Sequence, residues 1–277
     1  MRERPLLLIL LASGLAARPA AAGSISITIQ PRAELTNGEL TAHVKVTNSG
    51  DEAAQSVAAV LRFGDQQARS EARDSLGPNQ SMDPSVSLHV GELGPGRWPY
   101  RVAVDYTDAN QYPFQALHVG LLNIGNPAPA KMAVPEIKSA PFSSSGSLRL
   151  RVKNLSGAAR KAQVTIAVPE GVEATEPVLE VPLAPWEEKT LAAPIVNRTA
   201  LAGSRYPVFA FIQYDEDGGV HQTTIAQGMV EIQAAQSFFQ TQRTGLWLAA
   251  AVVVVAWLGF LLWWAAARRT RRAVSRP

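Results

Sequence analysis

The sequence predicts an all-β fold of two tandem β-sandwiches, followed by one C-terminal transmembrane α-helix. Three observations predict it. Several stretches alternate apolar and polar residues with a period of two, which is the pattern of half-buried antiparallel strands. One set of turn and aromatic residues occurs twice, about 107–108 residues apart. Near the C-terminus, about 23 successive residues carry no charge, and a segment of that length can cross a bilayer.

The alternation recurs in both halves of the chain. Segments rich in glycine, asparagine and proline separate the alternating runs, and the runs show no helical period. About seven such runs in about 105 residues predict two packed antiparallel sheets in each copy. The apolar positions that define the runs are Leu40, Val44 and Val46; Val86, Leu88 and Val90; Tyr100, Val102 and Val104; Leu148, Leu150 and Val152; Val164, Ile166 and Val168; and Val208, Ala210 and Ile212.

The internal repeat predicts two copies of one domain, because matching residues recur at one offset along the whole length. The copies are assigned to residues 23–125 and 131–232, with a proline-containing linker at residues 126–130 and a polar stalk at residues 233–244. The matched pairs include Asn48 with Asn154, Pro78 with Pro185, Trp98 with Tyr206, Tyr106 with Tyr214, and Gly120 with Gly228.

The composition narrows the class of protein. The sequence contains no cysteine, which excludes disulfides, thiolate metal sites, iron–sulfur clusters and cysteine nucleophiles. An exported protein without disulfides fits a bacterial envelope better than a vertebrate receptor.

The net charge is +3. Residues 1–22 carry +2 and the tail after residue 267 carries +5, so the middle carries −4. This predicts no nucleic-acid partner, because the folded part has no basic footprint.

Two segments are directed to a membrane. Residues 1–22 have a charged start, an apolar run and an A-x-A site at Ala20 and Ala22, which predict a cleaved signal peptide. Residues 245–267 are predicted to form the transmembrane helix, and residues 268–277 form a basic tail. By the positive-inside rule, that tail stays in the cytoplasm. We therefore expect a single-pass protein of the bacterial inner (cytoplasmic) membrane, with its two domains in the periplasm.

Two segments resemble a known family. Val46-Thr47-Asn48-Ser49-Gly50 looks like the bacterial CARDB-type immunoglobulin-like domains. The run from Val164 to Val172 is similar to the immunoglobulin-like module found beside carbohydrate-binding domains in bacterial glycosidases. The resemblance covers roughly residues 35–125 and 140–232. It implies a sandwich used for adhesion, spacing or assembly, and it implies no catalytic residues.

No pattern in the sequence predicts a catalytic site or a cofactor. The four histidines are scattered, and the chain has neither an H-E-x-x-H nor a G-x-S-x-G motif. Asp215 and Asp217 have the alternate spacing of calcium-loop carboxylates, but the rest of such a loop is missing. We interpret this segment as a hairpin turn in which Gly218 and Gly219 take positive φ angles, and keep the two aspartates as weak metal candidates.

Five aromatic residues are candidates for binding a partner. Trp98 precedes a proline, and Trp186 lies in a predicted turn after Pro185. If exposed, such rings could anchor a protein or stack on a sugar. The alternative for Trp98 is an aromatic plug at one end of its sandwich, because Tyr206 repeats it. In the predicted membrane helix, Trp257, Phe260 and Trp264 share one face. That face could pack against another transmembrane helix, or it could contact lipid.

Two functions fit these features. The first is a non-catalytic interaction or assembly subunit that binds membrane and envelope proteins through its tandem domains. The second is a carbohydrate-binding accessory that holds an envelope polysaccharide near a membrane enzyme. A glycan-binding domain is expected to show a row of exposed aromatic rings on one sheet face. With only Trp98 and Trp186 as candidate platforms, the interaction subunit is favoured.

Overall fold

The structure is a computed structural model that describes residues 23–134, 136–234, 247–248 and 251–261. The predicted signal peptide, the basic tail, Trp264 and most of the stalk lie outside these residues. The chain divides into two compact units. The first comprises Met1–Pro129 and Asp215–Thr223, and the second comprises Ala130–Tyr214 and Thr224–Pro277. Residues 215–223 thus belong to the first unit, although the sequence repeat counts them with the second copy.

The described residues up to 129 form two antiparallel sheets. In one sheet β2 pairs with β1 on one side and with β6 and β7 on the other; in the second the order is β9-β8-β3, and β3 also pairs with β4 and β5. The strands are β1 (Ile27–Thr36), β2 (Glu39–Asn48), β3 (Ala54–Phe63), β4 (Gln66–Arg69), β5 (Arg73–Leu76), β6 (Ser81–Met82), β7 (Ser85–His89), β8 (Gly96–Thr107) and β9 (Pro113–Ile124).

The described residues from 130 to 234 form the second sandwich. Its sheets run β14-β16-β12-β11 and β18-β17-β13-β15, and β10 pairs with the end of β12. The strands are β10 (Met132–Ala133), β11 (Ile137–Ser139), β12 (Ser145–Asn154), β13 (Arg160–Ala167), β14 (Val172–Ala174), β15 (Val178–Leu183), β16 (Glu188–Asn197), β17 (Arg205–Glu216) and β18 (Val220–Glu231).

The order of these strands is that of an immunoglobulin-like sandwich. In such a domain the first sheet runs A-B-E-D and the second contains C-F-G, which correspond to β11-β12-β16-β14 and β13-β17-β18. The first strand also joins the two sheets, because β11 pairs antiparallel with β12 and parallel with β18 through Ile137 and Gly228. The predicted all-β sandwich class is therefore confirmed for the described residues.

Each unit encloses its own hydrophobic core, as the alternating patterns predict. Along β2 and β12, every second side chain is buried and the intervening ones face outward. Leu40, Val44, Leu61 and Val104 are among the core residues of the first unit. Leu148, Val164, Ile195 and Ile212 are among those of the second. Burying a large aliphatic side chain contributes about 1.5–3 kcal/mol, so each core supplies stability without a disulfide.

Near the C-terminus, residues 247–248 and 251–261 are helical. Within the described ranges, no helix has the length and apolar character that a membrane crossing requires.

Candidate interaction site: the Trp186 turn

A tight turn between β15 and β16 holds Trp186 in an unusual backbone conformation. The Glu187 N–H donates to the Ala184 carbonyl at 3.2 Å, and Pro185 occupies the second position of the turn. Trp186 occupies the third position with a φ of +60°. A turn with proline second and a positive φ third is of the type II class, in which glycine or asparagine is the usual third residue.

The first unit contains the same turn, and it has the usual residue. The Gln80 N–H donates to the Gly77 carbonyl at 3.1 Å, Pro78 is second, and Asn79 is third with a φ of +57°. The two backbones therefore match at an offset of 107 residues, while the third residue differs in kind. Asparagine is enriched among non-glycine residues at positive φ, whereas a bulky residue there is an outlier.

The strain at Trp186 is not balanced by burial of its ring in the core. The residue is 63% exposed. A non-glycine residue in the left-handed region costs of order 1–3 kcal/mol, and such residues cluster at functional sites. Trp186 thus combines a strained backbone with a side chain in solvent, which makes it the candidate binding residue of this turn.

The neighbouring loop between β12 and β13 adds apolar surface beside the ring. Leu155 is 41% exposed, Gly157 lies directly beside the indole, and the Trp186 N–H donates to the Ser156 carbonyl at 3.2 Å. The loop in the first unit has Ser49 at the position of Leu155, because each follows the asparagine that ends its strand. The second unit thus carries an exposed apolar patch, formed by Leu155, Gly157 and Trp186, where the first unit is polar.

A buried asparagine fixes both the loop and the turn. The Asn154 side chain is fully buried, and its Nδ2 donates to the Ala158 carbonyl at 2.7 Å and to the Ala184 carbonyl at 2.9 Å. Its Oδ1 accepts from the Ser156 N–H at 3.0 Å. Asn48 makes the equivalent bonds in the first unit, to the carbonyls of Glu52 and Leu76. Each asparagine connects two loops that are distant in sequence.

The side chain of Glu187 stabilises the turn through a hydrogen bond to its first residue. Its Oε2 accepts from the Ala184 N–H at 2.6 Å. This hydrogen bond lowers the pKa of the Glu187 carboxyl, and the neighbouring Lys189 adds to the effect. In the first unit, Gln80 Oε1 accepts from the Gly77 N–H at 3.0 Å. A neutral side chain therefore makes the equivalent hydrogen bond there.

Glu187→Gln is expected to abolish an acid-induced change at Trp186. Because the pKa of Glu187 is lowered in the folded state, this hydrogen bond is fully present above the ordinary pKa of glutamate, and it is lost as the pH falls through the lowered pKa. Glutamine can make the bond at any pH, as Gln80 does. The indole N–H resonance of Trp186 in an NMR titration measures the change. Glu188→Gln is the control, and an unaltered titration in Glu187→Gln would contradict this account.

Trp98, the second predicted platform in the sandwiches, packs within its own unit. Its indole stacks on the His221 imidazole with ring centroids 4.0 Å apart, and its Nε1 donates to the Gly94 carbonyl at 2.9 Å. His221 also forms a single parallel pair with Gly96. The stacked face of Trp98 is not available to a partner. The packing agrees with the plug interpretation, and Tyr206 likewise packs against the core of the second unit.

The acidic segment forms the predicted hairpin turn. β17 ends at Glu216 and β18 begins at Val220, with positive φ at both intervening glycines. Asp215 Oδ1 lies 2.9 Å from Nδ1 of His221. Over the part of the chain that the structure describes, no group of three or more histidine, aspartate or glutamate residues could hold a metal ion. Asp217 lies in the turn itself, and the structure assigns the two aspartates no common ligand.

The predicted aromatic face near the C-terminus is described in part. Trp257 is 60% exposed and Phe260 is 57% exposed, and both lie in the helical residues 251–261. Their role in binding a transmembrane partner stays a prediction.

No protein-family model matches the sequence, and no curated protein matches it. Among solved structures, the chain is similar to E. coli alpha-2-macroglobulin in its native conformation, at 15% identity and a TM-score of 0.30, over 75% of this chain and 17% of that one. It is also similar to the YadV chaperone, at 11% identity and a TM-score of 0.30, over 73% of this chain and 99% of that one. A third similar structure is red sea bream transglutaminase, at 11% identity and a TM-score of 0.26, over 74% of this chain and 31% of that one. The chain thus spans about a sixth of the macroglobulin's length.

Sequence reasoning selected Trp186 but missed Leu155. The signal was present in the repeat: aligning the copies places Leu155 against Ser49 and Trp186 against Asn79. Both replacements put an apolar residue at an exposed position where the first copy has a polar one.

Proposed function

We propose that this chain is a non-catalytic, membrane-anchored interaction or assembly subunit of the cell envelope, whose tandem immunoglobulin-like domains lie outside the cytoplasm and bind protein partners. The observation that carries the proposal is Trp186, an exposed ring at a strained turn position where the matched turn has Asn79. Tryptophan is enriched among the residues that dominate binding energy in protein interfaces.

The position of the patch within the second unit suits a partner away from the bilayer. Trp186 and Leu155 lie at the end of the unit where β12 finishes, whereas the chain leaves the sandwich at Ile232, beside Phe142 and the start of β12. The ten residues of β12 separate these ends by about 30 Å. With the anchor following Ile232, the patch points away from the membrane and toward other envelope proteins.

The membrane anchor is supported by the charge pattern and by the helical residues. Residues 245–267 carry no charge, and four arginines follow within five residues. In the described helix, residues 251–260 are all exposed, including Val252, Val255 and Leu258. An apolar helical segment with an exposed surface suits a lipid environment.

The carbohydrate-binding alternative lacks its expected signature in the sandwiches. Among residues 23–134 and 136–234, Trp186 is the only exposed aromatic side chain. Sugar-stacking surfaces need several rings in a row, so the single ring favours a protein partner.

Trp186→Asn is expected to stabilise the second unit by about 1 kcal/mol and to weaken partner binding. The stabilisation follows from relief of backbone strain, and the loss of binding follows from removal of the ring. Stability is measured by urea unfolding of the full chain. Asn79→Ala, which changes the equivalent turn position of the first unit, is the matched control.

Binding is measured with a photo-crosslinking residue in place of Leu155, in cells. The crosslinker is expected to capture a defined envelope protein when Trp186 is present, and several-fold less of it in Trp186→Asn. At Ser49, the equivalent position of the first unit, it should capture none. Equal capture at Leu155 and Ser49, or undiminished capture in Trp186→Asn, would overturn the proposal.

A further inference from the structure

The outer face of β12 carries a row of positive charges. Arg149, Arg151 and Lys153 alternate with the buried residues of the strand and are all exposed. Side chains two residues apart on one face of a strand lie about 6.8 Å apart. The three cations therefore form a regular ladder about 13–14 Å long.

The neighbouring strand adds a fourth cation. In the pairing of β11 with β12, Lys138 stands directly opposite Arg149. Like charges directly opposite each other on neighbouring strands are destabilising. The pairing of Lys138 with Arg149 is therefore unfavourable in the free protein. An anion bound between the two side chains would remove their repulsion.

Acidic residues neutralise only part of this charge. Glu136 Oε1 lies 2.8 Å from the Lys138 ammonium, and Glu188 Oε1 lies 3.5 Å from the Arg151 guanidinium. Among the described residues, Arg149 and Lys153 have no ion-pair partner. The face keeps a net positive charge, in a folded part of the chain that is acidic overall.

Arg149 and Arg151 of the ladder line an open groove of about 650 Å³. Lys138 and its partner Glu136 line it too, together with the hydroxyl groups of Ser139, Ser147 and Thr190. Guanidinium groups bind carboxylates through paired N–H donors, and the hydroxyls offer further donors. The groove therefore suits an extended anionic ligand.

The matched strand of the first unit lacks these features. On the outer face of β2, Thr41 bonds Ser87 and Thr47 bonds Ser81. His43 bonds Ser85, and its Nε2 lies 3.5 Å from Glu34 Oε1. When Asn48 is aligned with Asn154, the positions of Arg149, Arg151 and Lys153 are taken by His43, Lys45 and Thr47, and Lys45 is the one lysine or arginine among them. The sandwich folds without a basic ladder at this position, so the fold does not require the one on β12.

We propose that the outer face of β12 binds an extended acidic segment of a partner protein, with carboxylates at alternate positions. In an extended chain, alternate side chains lie on one face about 6.8 Å apart, which matches the spacing of Arg149, Arg151 and Lys153. The proposal rests on the proposed function in that the ligand belongs to a protein partner, but its site is separate from the Trp186 turn.

The test uses two fluorescent peptides of equal composition and the full chain in a non-ionic detergent. One peptide alternates glutamate with serine over eight residues, and the other places its four glutamates in one block. The alternating peptide is expected to bind about ten-fold more tightly than the block peptide, with affinity falling as salt is raised. Equal affinity for both peptides would overturn the spacing argument.

Variants locate the site. Arg149→Gln with Arg151→Gln is expected to weaken binding of the alternating peptide at least ten-fold, whereas Arg149→Lys with Arg151→Lys retains it within about three-fold. Lys45→Gln, on the matched strand, should leave affinity unchanged. Unchanged binding in the double glutamine variant, with the far-ultraviolet spectrum of the parent chain, would overturn the proposal. So would a soluble polyuronate that displaces the peptide at lower carboxylate concentration, since the groove would then be a polysaccharide site.

Trp186→Asn is expected to leave peptide affinity unchanged. Loss of capture at Leu155 and loss of peptide binding at β12 are therefore separate results, and either proposal can fail without the other.

Discussion

Asn154→Ala is expected to lower the free energy of unfolding of the second unit by about 3 kcal/mol. The side chain is fully buried, and its removal leaves the carbonyls of Ala158 and Ala184 and the N–H of Ser156 without their bonds. An unsatisfied buried polar group costs about 1–3 kcal/mol. Three groups lose a partner here, and some regain water because the loops are near the surface.

Urea unfolding of the full chain measures this effect: we expect one transition for each unit, and the transition of the second unit shifts to a lower urea concentration. Asn48→Ala is the matched variant and is expected to shift the other transition by a similar amount, because Asn48 makes the equivalent bonds. Asn79→Ala, at an exposed turn position with positive φ, should lower stability by about 1 kcal/mol, less than either buried-asparagine variant, because alanine tolerates this backbone conformation less well than asparagine. A loss below about 1 kcal/mol in both buried-asparagine variants would show that water replaces these bonds without penalty.

A periplasm-active reporter is expected to be active when fused after Gln240 and silent when fused after Pro277. In the proposed topology, the charge-free segment at residues 245–267 crosses the membrane, and the arginines of residues 268–277 keep the tail in the cytoplasm. The contrast is expected to be all or none, since a folded reporter domain lies on one side of the membrane.

The control replaces the five tail arginines with glutamine. This variant is expected to give partial reporter activity at Pro277, because the charge asymmetry that sets orientation is weakened. Activity at Pro277 with silence after Gln240, in the parent chain, would reverse the proposed topology. The anchored, extracytoplasmic function would then fall, whereas the anion-binding face of β12 would remain testable.

The strands could be predicted because their signal is local. Leu148, Leu150 and Val152 alternate with arginine and lysine, and a strand with one buried face has this pattern whatever it packs against. The hairpin at Asp215–Gly219 is equally local, because two successive glycines allow the positive φ angles that the turn requires. The internal repeat then extended each local prediction to its counterpart in the other copy.

The sites depended on contacts between residues that are distant in the chain. Asn154 reads in the sequence as part of a turn; its burial and its bond to Ala184 follow from the docking of two loops 30 residues apart. The sequence left Trp98 either as an exposed platform or as an aromatic plug, and only folding brings His221 against its face. Lys138 and Arg149 become neighbours through strand pairing.

The sequence by itself determined the all-β class, the two copies, the absence of disulfides and the charge asymmetry around the apolar C-terminal segment, because each depends on composition or on a short period. The tertiary structure decided which loops meet, which polar groups are buried and which side chains share a face. Those features depend on strand order and register, and one alternating pattern is compatible with many registers. Trp186 combines both levels: its turn could be predicted from Pro185, but its positive φ is a property of the folded backbone.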